Sequence, residues 1–484
     1  MSRRLNRKVV AAVPWAVGEG VMNGIVGLGQ IFLLTWLLKP VDMGHAAIVM
    51  AIVGTIEIIA SMGISDAVVG APSSDTRLTD SAFTGAMVLA SGAAVVSFLI
   101  AGAVGRFYDD PLLTDLMRVA AIIPPLNALL AVPSGLLARK MRAAALTLRM
   151  TLGRLALLVS TAVFAYLQFG AWAIIFGNIV GALVSGIVLL LTMSRWPRLR
   201  YHHGDFKSLV RFGGALSFER LVWSLMTRFF WLIIGYIHGP VILGYFQFAQ
   251  RLVDETANLV QTFSIRFGLS IFAALKRAGR DPTEAFLNVT HLITLVASPI
   301  FMGIAVVMPD TMGTIFDARW ARGVEITQLA ALGWVIAFPR SLVGPALRAQ
   351  GHQSSLVVYS VISCFVTLAG GFLTTGQTLH FIGLAWVARH LIGLPWSFYA
   401  IDRYLKIGVW RQITSSARPF LATVCMGAIV YALSHRLGGW PPLSRLGVLC
   451  ATGALTYLAL VALFDRATVG SLVAQIRRAR GKPA

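Results

Sequence analysis

Long apolar stretches follow one another along this chain, each ending in a short cluster of glycine, proline or charged residues. A helix needs about 20 mainly apolar residues to cross a bilayer. By that rule the pattern predicts about fourteen spanning helices, centred near residues 24, 57, 92, 125, 156, 182, 224, 254, 296, 336, 365, 390, 426 and 453. The connections are too short to fold as soluble domains. The expected fold class is therefore an all-α integral membrane protein.

Polar positions inside the spans fall in stripes. In LSFERLVWSLMTRFFWLIIGY, Leu216 to Tyr236, Arg220, Ser224, Thr227 and Trp231 share one stripe at about 100° per residue, with Arg228 at its edge. The first span aligns Glu19, Asn23 and Gln30, and the second adds Glu57 and Ser61. The eighth groups Gln247, Arg251, Asp254, Glu255 and Asn258 on one face, where Arg251 can reach Asp254 or Glu255 one turn on. A single polar face on an apolar helix reads as a cavity lining. The alternative for Glu219 and Arg220 is a position near the membrane surface, from which they reach water. For Arg251 the alternative is a structural network within its own helix. Arg154 in the fifth span, Arg340 beside Pro339 in the tenth, and Arg389 beside His390 in the twelfth can each line a cavity or pack internally.

Composition agrees with the pattern. The 484 residues are 57% hydrophobic and 13% charged, where a soluble domain is nearer half apolar and about a quarter charged. Mean hydropathy is +0.76. The net charge of +21 has the size of a nucleic-acid binder's, but its distribution points elsewhere. Most basic residues sit in MSRRLNRKVV, ARKMR, SRWPRLRYHHGDFKSLVR, KRAGR, DRYLKIGVWR and IRRARGK, which all fall on one side when the spans are counted in turn. Positive residues concentrate on the cytoplasmic side, so both termini are expected there, facing anionic lipid rather than nucleic acid. The basic start leads into an apolar run too long for a cleavable signal and is taken as a first span. Cys364, Cys425 and Cys450 lie in apolar runs without paired spacing, which predicts small buried hydrophobes and no metal site or disulfide. No phosphate-binding loop, zinc-protease or nucleophile-elbow motif occurs, and the adjacent Asp109 and Asp110 read as solvated loop acids. No cofactor is expected, nor enzymatic activity.

The chain also echoes itself. LLKPVDMGHAAIVMAIV from Leu37 aligns with YIHGPVILGYFQFAQRLV from Tyr236, setting Pro40 against Pro240, Val41 against Val241, Gly44 against Gly244 and Val53 against Val253. Extended backwards, Glu19 meets Glu219. Looser echoes join PPLNALLAVPSGLLARK to PRSLVGPALRAQG, and FGAWAIIFGNIVG to FIGLAWVARHLIG. The expected organisation is two pseudo-symmetric six-helix lobes, 1–194 and 209–402, joined by a cytoplasmic amphipathic linker at 195–208. Residues 403–484 add two helices and a basic tail. An even number of spans per repeat gives both lobes one orientation, with a pseudo-two-fold along the membrane normal and a site near the midplane between them.

At this point the motifs become specific. L-x-x-P-x-x-x-G after the first and seventh spans, ILGYFQFAQRL, FDARWARG and PALRAQGHQ together resemble the multidrug/oligosaccharidyl-lipid/polysaccharide superfamily. Within it, the chain is similar to the polysaccharide-exporter branch of Wzx-type flippases. The resemblance covers nearly the whole chain. It implies a V-shaped, two-lobed transporter of the bacterial inner membrane that moves an undecaprenyl-pyrophosphate-linked oligosaccharide by alternating access, for O-antigen or exopolysaccharide synthesis. Implied partners are the lipid-linked oligosaccharide, membrane lipids, a polysaccharide polymerase and a chain-length regulator.

A cationic interior suits such an anionic substrate, because guanidinium offers planar donors to phosphate and stays charged. An arginine at a helix centre costs about 2.5–3.5 kcal/mol on insertion scales, so it is expected to face the bundle interior. The candidate substrate-binding residues are Arg220, Arg228, Arg340, Arg251, Arg389 and Arg154. Without a nucleotide site, a proton or sodium gradient is the expected drive, with Glu19, Glu219 and Glu57 as candidate ion-coupling carboxylates and Glu19 foremost. The competing readings are a cation-coupled multidrug exporter of the same superfamily, a peptidoglycan-precursor flippase, and a membrane glycan polymerase or ligase.

Overall fold

The computed structural model describes residues 22–465 except 23, 62, 71–74, 141 and 194. Glu19 and Asn23 therefore lie outside the described residues. Every regular element among the described residues is helical. In sequence order these are α1 (Gly24–Leu37), α2 (Pro40–Ser61), α3 (Ile64–Gly70), α4 (Thr76–Phe107), α5 (Pro111–Ala120), α6 (Ile123–Arg139), α7 (Ala143–Tyr166) and α8 (Trp172–Thr192). They continue as α9 (His203–Arg277), α10 (Thr283–Thr311), α11 (Val324–Ala337), α12 (Val343–Gln350), α13 (Gln353–Phe372), α14 (Leu379–Leu405), α15 (Val409–Arg436) and α16 (Pro442–Phe464).

Local chemistry sets the breaks. Pro40 opens α2 at a position that needs no backbone donor, and the Asp42 carboxylate accepts the Lys39 amide at 3.0 Å. Asp75 and Asp110 instead stand at the N-caps of α4 and α5 and accept the Arg77 and Leu112 amides. The long α9 is two helices end to end. Gly239 interrupts it at φ 80° and ψ 172°, a conformation that glycine adopts without steric cost, and Pro240 restarts it without an amide donor.

Among the described residues, eleven helical segments are long and apolar enough to cross a membrane, so the chain is a multi-pass membrane protein. The difference from the expected fourteen has identifiable sources. Phe218–Gln261 counts once although Gly239 breaks it, α1 is short over its described length, and α14 carries Arg389 and His390 at its centre. Large apolar side chains point outward from these helices, among them Leu99, Leu191, Phe365 and Trp410. Lipid, rather than water, covers such faces. The same reasoning corrects the cysteines: Cys364 and Cys425 are half-buried and Cys450 is exposed, because a small apolar side chain need not be buried where the surroundings are hydrocarbon.

The helices gather into two compact units. One comprises the described residues up to Arg251 together with Ser360–Gln377; the other comprises Leu252–Tyr359 and the described residues from Thr378. The first unit has a core of α3, α4 and α6 residues, including Ile64, Phe83 and Val132, against which Trp196 packs edge-on to Phe83. Asp80 on α4, almost fully buried, accepts the Arg198 amide at 2.9 Å and pairs with Arg195 at 3.4 Å, which ties the stretch before α9 to α4. Helices α7 and α8 meet through glycines: a Cβ on Gly153 would lie 2.0 Å from Ser185 Oγ, and one on Gly177 1.9 Å from Thr161 Oγ1.

The tightest crossing in that unit is reciprocal. A Cβ on Gly44 would lie 1.8 Å from the Pro240 carbonyl oxygen, and one on Gly244 would lie 1.9 Å from the Pro40 carbonyl oxygen. The four residues that align in the sequence echo thus touch each other in pairs.

In the second unit, Phe301, Trp334 and Phe338 stack in a core of α10 and α11 residues, with the Phe301 and Phe338 centroids 5.0 Å apart. Helices α15 and α16 pack on α10. There Tyr457 donates to the Leu295 carbonyl at 2.7 Å, and Arg445 pairs with the buried Asp310 at 2.9 Å.

Candidate functional site

Apart from the Asp80 and Asp310 ion pairs, each unit holds a cluster of charged side chains on facing helices, in which Arg220 is exposed and Glu57, Arg228, Arg340 and Arg389 are wholly or partly buried. In the first unit, a cavity of about 650 Å³ is lined by Glu57 and Ser61 of α2, Pro124 and Asn127 of α6, and Arg220 and Leu221 of α9. Asn127 Nδ2 donates to Glu57 Oε1 at 2.9 Å, which fixes the carboxylate at the cavity wall. Arg228, two turns beyond Arg220, points from α9 to α2. Its NH1 donates to the Met50 carbonyl at 2.7 Å and its Nε to Ser224 Oγ at 3.3 Å, and it interacts electrostatically with Glu57. Gly54 makes the room, because a Cβ there would lie 1.7 Å from Arg228 NH1. Arg228 is a paired cation holding two helices, while Arg220 and Glu57 face the cavity.

The second unit holds Arg389 of α14, only 5% exposed, with its guanidinium carbon 3.5 Å from the centroid of the Trp386 ring. Arg389 Nε and NH1 have no hydrogen-bond partner among the described residues, and neither has Arg340 Nε. Asp254 interacts electrostatically with Arg389 and accepts from Trp334 Nε1 at 3.3 Å. Arg340 NH2 approaches His390 Nδ1 at 3.5 Å. Pro339 sits in a short 3₁₀ turn between α11 and α12, and this break turns Arg340 toward α14. Gly393, one turn past Arg389, leaves space for Tyr359 and Arg340: a Cβ there would lie 2.4 Å from Tyr359 Oη and 2.5 Å from Arg340 NH1. Tyr359 in turn stacks on Trp396 at 4.4 Å. Two cations, one carboxylate and several aromatic faces are thus concentrated in apolar surroundings. Two arginines against one aspartate leave a charge that an anion can balance.

The structure brings Glu57, Arg220 and Arg228 together in one unit, and Arg340 and Arg389 together in the other. Glu219 is half-buried on α9, Arg251 is half-buried on the same helix beyond the kink, and Arg154 is exposed on α7. Asn127 and Asp254 gain weight. Asn127 is a lone polar residue in the run PPLNALL, a signal present in the sequence. Asp254 was legible on the polar stripe of its helix as a neighbour of Arg251, but its place beside Trp334 and Arg389, distant in sequence, was not. Tyr359 and Trp396 gave no signal, since aromatics are ordinary in membrane helices.

Residues 33–325 match the family model described as polysaccharide biosynthesis protein, more than half of the chain. Over its whole length the chain is 24% identical to the succinoglycan biosynthesis transport protein ExoT of Rhizobium meliloti, 99% of which is covered. It is 26% identical over 55% of its length to the teichuronic acid biosynthesis protein TuaB of Bacillus subtilis, 56% of which is covered. Among solved structures, the lipid II flippase MurJ superposes with a TM-score of 0.78 at 11% identity, with 94% of this chain and 100% of that one covered. That likeness is one of fold. The many-helix membrane fold agrees with it, and by the match over residues 33–325 the chain belongs to the polysaccharide biosynthesis protein family.

Proposed function

We propose that this protein is a flippase that carries a lipid-linked oligosaccharide, built on undecaprenyl pyrophosphate, across the bacterial inner membrane. The observation that carries the reading is Arg389: a guanidinium 5% exposed, inside an apolar helix, with two nitrogens unbonded among the described residues. Burying an arginine without hydrogen bonds is costly, and intramembrane cations mark substrate paths. A diphosphate is the part of a lipid-linked sugar that needs such a partner, and family membership supports a glycan precursor as cargo. A cation-coupled drug exporter would find two buried arginines repulsive toward its substrate.

In this reading Arg389 and Arg340 of the second unit are candidate contacts of the anionic headgroup, and Arg220 is the candidate in the first. Arg228, Arg251 and Arg154 stand further out in the candidate set. Glu57 is the leading carboxylate for ion coupling among the described residues, Glu219 is a second, and Glu19 remains a candidate by its place in the first span. The division into lobes 1–194 and 209–402 about a pseudo-two-fold is supported by the reciprocal Pro40–Gly244 and Pro240–Gly44 contacts. Basic clusters support cytoplasmic termini. Export would feed a polymerase and a chain-length regulator.

Deleting the gene tests the reading. Lipid-linked oligosaccharide should accumulate on the inner leaflet, the wild-type gene should clear it, and an Arg389→Gln gene should not. Normal surface glycan in the deletion strain would sink the proposal.

A further inference from the structure

A second cavity, of about 310 Å³, lies in the other unit and plays no part in the reading above. Its walls run along α10 and α11. Glu325 is in the first turn of α11, His380 in the first turn of α14, and Tyr431 in the last turns of α15. These residues form a polar rim where helices begin or end. Leu332, seven residues beyond Glu325, lies roughly 10 Å deeper at 1.5 Å per residue. Met302 lies against Gly427, about one turn inward from Tyr431. Between rim and floor, Leu329 and Val306 form the wall, and Gln328 spends its amide on the Ala305 carbonyl at 2.7 Å. The cavity thus passes from charged to wholly apolar over the depth at which a bilayer passes from headgroups to acyl chains.

We infer that this crevice is a binding site for an aminophospholipid, with one acyl chain along Leu329, Leu332 and Met302 and an ethanolamine headgroup at Glu325 and His380. The rim chemistry selects the headgroup. Glu325 Oε2 pairs with His380 Nε2 at 3.3 Å, and no other partner of this carboxylate exists among the described residues. A primary ammonium can donate to a carboxylate, and an imidazole N–H can donate to the adjoining phosphate. A quaternary choline has no N–H to offer, and a glycerol headgroup brings only the anion, which Glu325 repels. A polyprenyl phosphate lacks the amine as well. Both rim residues are about half exposed, so an arriving headgroup meets them without first unfolding anything.

The test uses the full-length protein in nanodiscs of phosphatidylcholine doped with equal amounts of phosphatidylethanolamine, phosphatidylglycerol and undecaprenyl phosphate, followed by native mass spectrometry of retained lipid. The wild type should retain phosphatidylethanolamine over each competitor by roughly threefold, the scale of a partly exposed ion pair. Glu325→Gln, at an exposed position that folding does not require, should abolish the preference. Leu332→Trp, which fills the deep end, should lower retention of phosphatidylethanolamine while the rim stays intact. Equal retention of all lipids, a preference for undecaprenyl phosphate, or an undiminished ethanolamine preference in Glu325→Gln would each overturn the inference.

Discussion

Arg228 and Arg389 are both cations inside apolar helices, and the two units treat them in opposite ways. Arg228 donates to a backbone carbonyl and a serine, has Glu57 nearby, and fits a notch left by Gly54. Arg389 is more deeply buried, lies on the face of Trp386 with Asp254 acting on it electrostatically, and leaves two nitrogens unbonded among the described residues. A satisfied buried charge holds structure, because removing one partner strands the other. An unsatisfied one contributes little to the fold and keeps its donors for something that arrives later. The contrast separates a scaffold cation from a binding cation, although the two look alike in sequence.

The strongest way to break this comparison is to neutralise both. Arg228→Gln should destabilise the protein by about 3 kcal/mol, since it removes the bond to the Met50 carbonyl and leaves Glu57 without its cation. Thermal unfolding in detergent and the amount of folded protein in membranes report this. Arg389→Gln should leave the unfolding midpoint unchanged or higher, yet reduce glycan export about tenfold, roughly 1.4 kcal/mol of lost binding. If Arg389→Gln unfolds and Arg228→Gln does not, the assignment of roles is reversed.

The two glycine notches sharpen the same point with smaller effects. Gly54→Ala forces Arg228 NH1 aside, and because a guanidinium can move, the cost should be about 1 kcal/mol of stability, read by thermal unfolding. Gly393→Ala pushes on Tyr359 Oη and Arg340 NH1 instead, so its loss should appear in export before it appears in unfolding. Equal stability losses with no export difference would erase the distinction between the notches.

The smallest expected effects lie in loops outside the spans and differ in sign. Tyr108, after α4 in the first unit, donates to the Leu232 carbonyl at 3.1 Å, and burial pushes its hydroxyl up to about 12, with Tyr236 adding to the rise. A group raised in the folded state contributes stability that is full below pH 10 and is lost as pH climbs toward 12. Asp317, before α11 in the second unit, is held below the usual carboxylate range by its hydrogen bond from Arg319. Its contribution is present above the ordinary carboxylate value and is lost as pH falls through the lowered one. Unfolding midpoints against pH should therefore lose an alkaline component in Tyr108→Phe and an acid component in Asp317→Asn. A change at the opposite end in either variant contradicts the assigned cause.

Residue patterns alone made much of the fold legible. The apolar runs around 92, 156, 182, 296, 426 and 453 coincide with long helices, because in a bilayer the backbone must bond within its own segment and length plus apolarity then leaves few choices. Gly239–Pro240 marked a break for the same local reason. The count of spans was less legible. Arg389 and His390 lower the apolarity of α14 at its middle, and a rule based on apolarity does not count that helix among the candidate spans.

The site residues divide along a similar line. Glu57, Arg220 and Arg228 were visible as charges on helical stripes, since periodicity is a property of one helix. By itself the sequence determined that this is a multi-helix membrane chain with buried cations and a Pro–Gly echo. Only the tertiary structure decided that Pro40 meets Gly244, that Met50 and Ser224 satisfy Arg228, and that Asp254, Trp334 and Trp386 surround Arg389. Hydrophobicity and helical period are local quantities. Hydrogen-bond satisfaction depends on which distant helices arrive as neighbours, and packing fixes that.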